Sequence, residues 1–219
     1  MKKFITLLLS ISMLLVMFST LCYAKEFSDV DSSHWALSYI SKLSDDGVIN
    51  GYDDGTFKPN KTITRAEFIK LIVTESLLSG PRTAKLKTAA PTLYGDWWKS
   101  YAIMAEKYIP YTYTDEDYPN PITRLEVANI LNSFAIKDKF YKVDEDGKAN
   151  IGDSGDVTSS FNDTNGIGDS NEIILSNISK IGLLIGYDDG SFKPGKPMTR
   201  AEIATIIYRY HNIRGEENV

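Results

Sequence analysis

Three arginines lie at the same place in three Thr-Arg-x-Glu segments, a pattern that points to binding of an anion. In each segment the spacing Thr-x-x-Glu predicts a capping box: the threonine hydroxyl accepts from the third helical amide, and the glutamate accepts from the cap amide. The six capping residues are Thr64 and Glu67, Thr123 and Glu126, and Thr199 and Glu202. Arg65, Arg124 and Arg200 then occupy the first helical position.

A cation at a helix start opposes the partial positive charge there and costs up to about 1 kcal/mol. Its repetition in three otherwise divergent segments indicates a separate requirement. The amides of a helix start together with a guanidinium form a receptor for a carboxylate or a phosphate. The alternative is that each arginine pairs with a nearby acid such as Asp53 or Asp54. We interpret the arginines as anion-binding groups.

The elements that position these arginines belong to an internal repeat. "GYDDGTFKPNKTITRAE" (residues 51–67) returns as "GYDDGSFKPGKPMTRAE" (186–202), with 13 of 17 positions identical. Between them, "PITRLEVANILNSF" (121–134) repeats only the end of the motif, and "IPYTYTDEDYPNP" (109–121) stands where the glycine-rich turn would be. The chain therefore contains three units, of which the second is degenerate.

Each unit is predicted to form a helix, a turn-rich loop and a second helix, which makes the fold mainly α with short turn or strand segments. In the first unit, Asp31 or Ser32 is expected to cap the first helix and Gly47 to end it. The apolar positions expected to face a core are Ala36, Ile40 and Leu43 in the first helix, and Phe68, Leu71, Ile72 and Leu78 in the second. Such short helices are not stable alone, so we expect the units to pack together as one bundle.

The chain begins with a signal for export. Met1-Lys2-Lys3 precedes an apolar run (4–18) and small residues, which predicts cleavage after Ala24. The run is shorter than the roughly 20 residues of a membrane anchor, and Leu21 before Cys22 disfavours lipidation. The remaining 195 residues contain no cysteine and carry 22 basic against 29 acidic side chains, a net charge of −7. This excludes a disulfide framework and argues against nucleic acid as the main partner.

At these residues the chain resembles a known family. "FSDV…HWA…GYDDGTFKPNKTITRAEF" is similar to the S-layer homology (SLH) domain, and the other units resemble further copies. The resemblance implies three units around a pseudo-threefold axis. It also implies grooves that bind a secondary cell wall polysaccharide, commonly with a pyruvate ketal, and so attach exported proteins to the envelope. In such domains the arginine of the motif meets the acidic sugar, which implies that role for Arg65, Arg124 and Arg200.

Further glycan-binding candidates are aromatic and basic residues of the repeated loops: Trp35, Tyr52, Tyr187, Lys58 and Lys193. Trp35, Trp97 and Trp98 can stack on sugar faces, and core packing is the alternative for Trp35. One of Trp97 and Trp98 is expected to be exposed because adjacent helical residues face apart. The second unit departs from the motif at Leu125, where the motif has alanine.

The predicted boundaries are a signal peptide (1–24), unit one (25–80), a linker (81–92), degenerate unit two (93–137), an acidic linker (138–159), unit three (160–210) and a tail (211–219). No regular structure is expected over 137–160. No catalytic residue, metal ligand or cofactor is predicted. The alternatives are a structural protein that contacts other surface proteins, a wall-glycan hydrolase, and calcium binding by the acidic segment 144–172. The sequence leaves open whether the chain anchors a partner or covers the wall itself.

Overall fold

The computed structural model describes residues 27–77, 96–150 and 161–216. The predicted signal peptide, the linker 81–92 and Leu78 lie outside the described residues. Six α-helices are found in these ranges: α1 Leu37–Asp45, α2 Arg65–Ser76, α3 Lys99–Ala105, α4 Arg124–Lys137, α5 Asp169–Lys180 and α6 Arg200–Glu216. A 3-10 turn follows α3 (Glu106–Tyr108), and β1 Lys142–Val143 pairs antiparallel with β2 Ala149–Asn150. The mainly α prediction is confirmed.

The helices pack across the repeat boundaries. The first helix of each segment lies against the second helix of a different one: α1 on α6, α3 on α2 and α5 on α4. The expected core positions Ile40 and Leu43 of α1, and Ala36 just before it, are fully buried. Phe68 and Ile72 of α2 are also fully buried, whereas Leu71 is half-buried. Because each segment is covered by another, its apolar face is buried only in the assembled bundle.

A closed ring of three main-chain hydrogen bonds lies where α2, α4 and α6 begin. Ile63 N donates to Met198 O (2.9 Å), Met198 N to Ile122 O (3.0 Å), and Ile122 N to Ile63 O (3.0 Å). The three side chains are at most 1% exposed. The segments that precede the three capped helices are therefore held to one another around a buried apolar centre.

Two local predictions are wrong, and each for a local reason. Asp31 and Ser32 do not cap α1, which begins at Leu37; Asp31 instead accepts from the amide (2.8 Å) and hydroxyl (2.7 Å) of Ser33 in the preceding turn. Regular structure is present between 142 and 150, because the carboxylate of Asp144 accepts from Lys148 N (2.8 Å) and closes a turn between β1 and β2. Gly47, after the last turn of α1, has φ 69°, as predicted for a helix stop.

Within the described ranges, no helix combines the length and the hydropathy that crossing a membrane requires.

Replacing Ile122 with alanine tests whether the ring joins the segments into one folding unit. The side chain is fully buried, so we expect Ile122→Ala to lower the free energy of unfolding by about 2–5 kcal/mol in a single transition. Denaturant titration followed by tryptophan fluorescence would measure this. Ile136→Ala, at a 38% exposed position of the same segment, is the control and should change stability by less than about 0.5 kcal/mol. Two separate transitions, one at its wild-type midpoint, would contradict the coupling.

Candidate functional site

The first amides of α2, α4 and α6 are not available to a ligand, which corrects the expectation that they help to bind an anion. The first two amides of each helix donate to two carbonyls in the loop of another segment. Arg65 N and Ala66 N reach Asn120 O and Tyr118 O, Arg124 N and Leu125 N reach Lys196 O and Pro194 O, and Arg200 N and Ala201 N reach Lys61 O and Pro59 O, all at 2.9–3.0 Å. The third amide donates to the threonine hydroxyl in each capping box. Any anion site must therefore be built from side chains.

The capping boxes themselves are complete in all three segments. Glutamate Oε2 accepts from the threonine amide at 2.8–2.9 Å, in the pairs Thr64 with Glu67, Thr123 with Glu126, and Thr199 with Glu202. Each glutamate is thereby fixed beside the arginine position, and its second oxygen, Oε1, faces a basic side chain: Lys61 for Glu67 (3.9 Å), Lys196 for Glu202 (2.6 Å) and Arg65 for Glu126 (2.6 Å).

Arg200 extends from the start of α6 to the loop of the first unit. Its Nε donates to Phe57 O (2.8 Å) and its Nη2 to Asn50 O (3.3 Å), and its guanidinium carbon lies 4.8 Å from the centre of the Tyr52 ring. No carboxylate of the described residues lies within ion-pair distance of this guanidinium. The charge is thus held in place by carbonyls and an aromatic face without being neutralised.

Two lysines from the loop that contains Tyr52 also lie over its ring. Lys58 Nζ lies 4.1 Å and Lys61 Nζ 5.3 Å from the ring centre, and Lys61 Nζ also donates to the tyrosine hydroxyl at 3.1 Å. Lys58 has φ 58°, a left-handed conformation that is uncommon outside glycine. The carboxylate of Asp29 holds it there by accepting from Phe57 N and Lys58 N, each at 2.7 Å. Three positive groups therefore surround one tyrosine.

A cavity of about 260 Å³ opens beside Arg200, and we call it the arginine cleft. It lies between the first loop, α2 and α6, and its walls include Asn50, Gly51, Phe57, Lys70, Trp97 and Arg200. Gly51 is required for this wall, because a Cβ there would stand 2.2 Å from the Phe27 ring. Trp97 is 44% exposed, and Lys70 Nζ lies 5.6 Å from its ring centre. The cleft combines two cations, Arg200 and Lys70, and one carboxylate, Glu67, with an exposed aromatic face.

Arg124 makes the corresponding contacts with the third unit but is only 5% exposed. One terminal nitrogen donates to Ile185 O, and the guanidinium carbon lies 4.6 Å from the centre of the Tyr187 ring. Among the described residues its Nε has no hydrogen-bond partner. Burial lowers the pKa of Arg124. Lys193 and Lys196 lie over the same tyrosine at 4.2 and 5.1 Å, so the cluster is repeated around an arginine that is closed off from solvent.

Arg65 is the one motif arginine with a carboxylate partner in the described residues. Its Nε donates to Glu126 Oε1 at 2.6 Å, and its side chain is 17% exposed. Burial is the largest single influence and opposes the charge, but the hydrogen bonds and charge attraction of Glu126 and Tyr113 together outweigh it and raise the pKa of Arg65. The second unit has Asn120 where the others have Lys61 and Lys196, so Arg65 supplies the cation that Glu126 lacks. The alternative of internal pairing is thus realised here, with Glu126 in place of Asp53 or Asp54.

The structure divides the predicted glycan-binding residues into separate groups. Arg200 lies with Tyr52 and Lys58, and Arg124 lies with Tyr187 and Lys193. Trp35 is 58% exposed beside His34 and lies outside both groups, so it is not a core residue. The prediction omitted Lys61, Lys70 and Lys196 from the site, whereas Trp97 was among the tryptophans proposed to stack on a sugar. The recurrence of Lys61 and Lys196 in both complete motifs was a signal that could have identified them.

No group of three histidine, cysteine, aspartate or glutamate side chains that could hold a metal ion is formed by the described residues. Part of the acidic segment (151–160) lies outside those ranges.

We expect Glu126→Gln to destabilise the protein by about 1–3 kcal/mol at neutral pH, because Arg65 then loses a charged partner. Burial raises the pKa of Glu126, but bonds from Arg65 and Thr123 outweigh this and lower it below its ordinary 4.5. A lowered pKa means that the contribution is complete above the unfolded-state value and is lost as pH falls through the folded-state value. The difference between wild type and variant should therefore be constant above about pH 5.5 and shrink below about pH 4.

Thermal denaturation across pH 3–8 would measure it, with the exposed Glu106→Gln as a control that should show little change. A difference that grows in acid would contradict the assignment.

Two segments of this chain match a known protein family, and longer stretches are similar to known proteins. Residues 26–69 and 160–204 match the family model of the S-layer homology domain. An S-layer protein of Bacillus thuringiensis subsp. finitimus is 28% identical over 196 residues, which cover 88% of this chain and 22% of that protein. A cellulosome-anchoring protein of Acetivibrio thermocellus is 34% identical over 112 residues, 48% of this chain and 25% of the relative. Exoglucanase XynX of Acetivibrio thermocellus is 31% identical over 185 residues, 83% of this chain and 16% of the enzyme.

The chain thus spans a quarter or less of the length of these curated relatives. The matched segments contain the complete capping motifs of α2 and α6, and therefore include Arg65 and Arg200. The prediction of a repeat-containing, wall-associated surface protein is confirmed, and residues 26–69 and 160–204 are the two regions similar to the S-layer homology domain.

Proposed function

We propose that this protein attaches to the cell envelope by binding an anionic secondary cell wall polysaccharide, with the carboxylate of an acidic sugar, such as a pyruvate ketal, at Arg200. The supporting observation is the state of this guanidinium. It lines the arginine cleft, is fixed by Phe57 O and Asn50 O, and has no carboxylate partner among the described residues. A positioned cation beside a cavity favours a ligand that supplies the missing negative charge.

The rest of the arginine cleft suits a sugar. Lys70 adds a second positive side chain, and the exposed face of Trp97 offers the apolar surface on which a pyranose ring stacks. Lys58 and Lys61 raise the local positive potential although the chain as a whole is acidic. Part of their charge is offset, since Lys58 pairs with Asp54 at 3.2 Å and Lys61 approaches Glu67 at 3.9 Å. Arg200 and Lys70 are the two cations of the cleft wall, and together they outnumber its one carboxylate, Glu67.

We further propose that the degenerate segment 93–137 is a third unit and that the three units share a pseudo-threefold axis. Support comes from the ring of main-chain bonds, in which Ile122 occupies the place that Ile63 and Met198 occupy in the other segments. The packing of α3 on α2 repeats that of α1 on α6 and α5 on α4. The unit and linker boundaries stated for the sequence remain part of this proposal.

We assign the protein no catalytic role. The relatives include an exoglucanase and a cellulosome-anchoring protein. A segment similar to parts of such different proteins is consistent with attachment as the shared property. Several weak contacts along one polymer would add by multivalency.

Arg200→Ala should weaken binding to purified cell walls by roughly 10- to 100-fold, the range for one hydrogen bond to a charged group. Arg124→Ala should act mainly on stability, because that side chain is buried. Arg65→Ala should also act mainly on stability, because Glu126 already neutralises that arginine. Sedimentation with walls, in parallel with thermal denaturation, separates the two effects.

Lys42→Ala is the charge-matched control, since it removes one positive side chain that is 54% exposed and remote from the cleft. Wild-type sedimentation of Arg200→Ala would reject the mechanism. Undiminished binding to walls stripped of their secondary polymer would instead favour a protein partner.

A further inference from the structure

A second cavity lies in the degenerate unit, and we call it the tyrosine cleft. Its volume is about 590 Å³, within the range of small-molecule sites. Its walls come from α3 and from the loop that replaces the glycine-rich turn, and include Trp98, Ile103, Tyr111, Tyr113, Asp115 and Tyr118. This loop is the tyrosine-rich stretch of the sequence that the anionic site leaves unexplained.

The aromatic side chains of the tyrosine cleft form one continuous series. Trp98 stacks on Tyr118 at 4.2 Å, Tyr113 meets Tyr118 edge to face at 5.7 Å, and Tyr111 stacks on Tyr113 at 5.5 Å. All four residues are half-buried, so each contributes packing surface and also some surface to the cavity. Such mixed rings have an apolar face and, in tyrosine, a hydroxyl that can hydrogen-bond.

The charges of the tyrosine cleft are unlike those of the arginine cleft. Lys99 is the lysine of its lining, and its Nζ is paired with Asp115 at 2.9 Å and with Asp96 at 3.2 Å. Glu106 adds another carboxylate to the wall. Arg65, which lies 5.3 Å from the Tyr113 ring, is neutralised by Glu126. An acidic sugar would meet repulsion here, whereas carboxylates accept hydrogen bonds from the hydroxyls of an uncharged one.

The two clefts flank one dipeptide. Trp97 lines the arginine cleft, and Trp98, the next residue, lines the tyrosine cleft. The Cα atoms of these two residues are about 3.8 Å apart, so side chains of neighbouring residues contribute to the walls of both clefts. The adjacency of Trp97 and Trp98 and the contrast in charge between the two clefts suit an occupant that is a polymer with both charged and uncharged units.

We propose that the tyrosine cleft is a second carbohydrate subsite that binds uncharged pyranose residues by stacking. One glycan then extends from Arg200 across Trp97 and Trp98 to Tyr111. The passage of one chain through both clefts rests on the proposed anionic anchor, but the affinity of the tyrosine cleft for neutral sugar does not.

Two uncharged probes, tetra-N-acetylchitotetraose and cellotetraose, test the subsite on the full chain after signal removal. We expect saturable binding of at least one probe by calorimetry, with a change in tryptophan fluorescence. Tyr111→Ala should weaken that binding about tenfold, the ratio that corresponds to 1.4 kcal/mol, and Tyr111→Phe should retain it because the ring remains. The matched control is Tyr39→Ala, which removes a half-buried tyrosine outside both clefts whose ring packs against Tyr208 at 5.0 Å and a tilt of 54°.

Thermal denaturation followed by circular dichroism would confirm that each variant is folded. If Tyr111→Ala does not fold, Tyr111→Phe still provides a variant of this position for the test. Absence of binding by both probes would overturn the proposal, as would equal weakening by Tyr39→Ala. Binding of decaproline with neither sugar would also overturn it, in favour of a peptide groove.

The two proposals fail in distinguishable ways. If Arg200→Ala sediments with walls like wild type while Tyr111→Ala loses the neutral probe, the anionic anchor is wrong and the tyrosine subsite stands. If Arg200→Ala loses the walls but neither probe binds, the subsite is wrong and the anchor stands.

Discussion

The ring of main-chain hydrogen bonds among Ile63, Ile122 and Met198 is the constraint on which the rest of this structure depends. Each bond joins two segments that are distant in sequence, and the buried side chains at the ring leave no room for water to replace it. Once the ring is closed, the next residues of each segment begin a capped helix whose first amides are satisfied by another segment's loop. The arginines, the capping glutamates and the loops that receive the arginines are therefore placed by one interaction.

The opposite ends of the three long helices are joined by side chains. The hydroxyl of Tyr210 in α6 donates to the carboxylate of Asp138, the residue after α4, and its oxygen also lies 3.2 Å from Phe134 O of α4 and 3.3 Å from Ser76 Oγ of α2. Lys137 Nζ donates to Ser76 O at 3.0 Å. The buried Tyr210 thus contacts the last turns of both other helices. Held at both ends, α2, α4 and α6 form a rigid support, which suits a site whose cations must stay near an aromatic ring without a ligand present.

The features that could be predicted from the sequence are those that depend only on residues close together in the chain. The capping spacing of Thr64 and Glu67 and the glycine stop at Gly47 are local, and both patterns specify one geometry. The partner of Arg65 lies 61 residues away, and no local pattern names Glu126. The Asp31 cap failed because an aspartate can equally close a turn two residues on. Arg124 and Arg200 have the same motif, and only the assembled fold buries one and leaves the other beside a cleft.

Arginine at these helix starts is less unfavourable than the helix dipole alone suggests. The amides that create the partial positive charge already donate to carbonyls of another segment, and the guanidinium itself donates to carbonyls there while lying on a tyrosine or phenylalanine face. A lysine cannot stack in a plane and donate in two directions at once. Each arginine therefore has a structural role in joining two segments. It can bind a ligand only where neighbouring groups leave the guanidinium charge uncompensated. Glu126 neutralises Arg65, and burial keeps a ligand from reaching Arg124. The surroundings of each arginine, more than the motif, therefore determine whether it can bind a ligand.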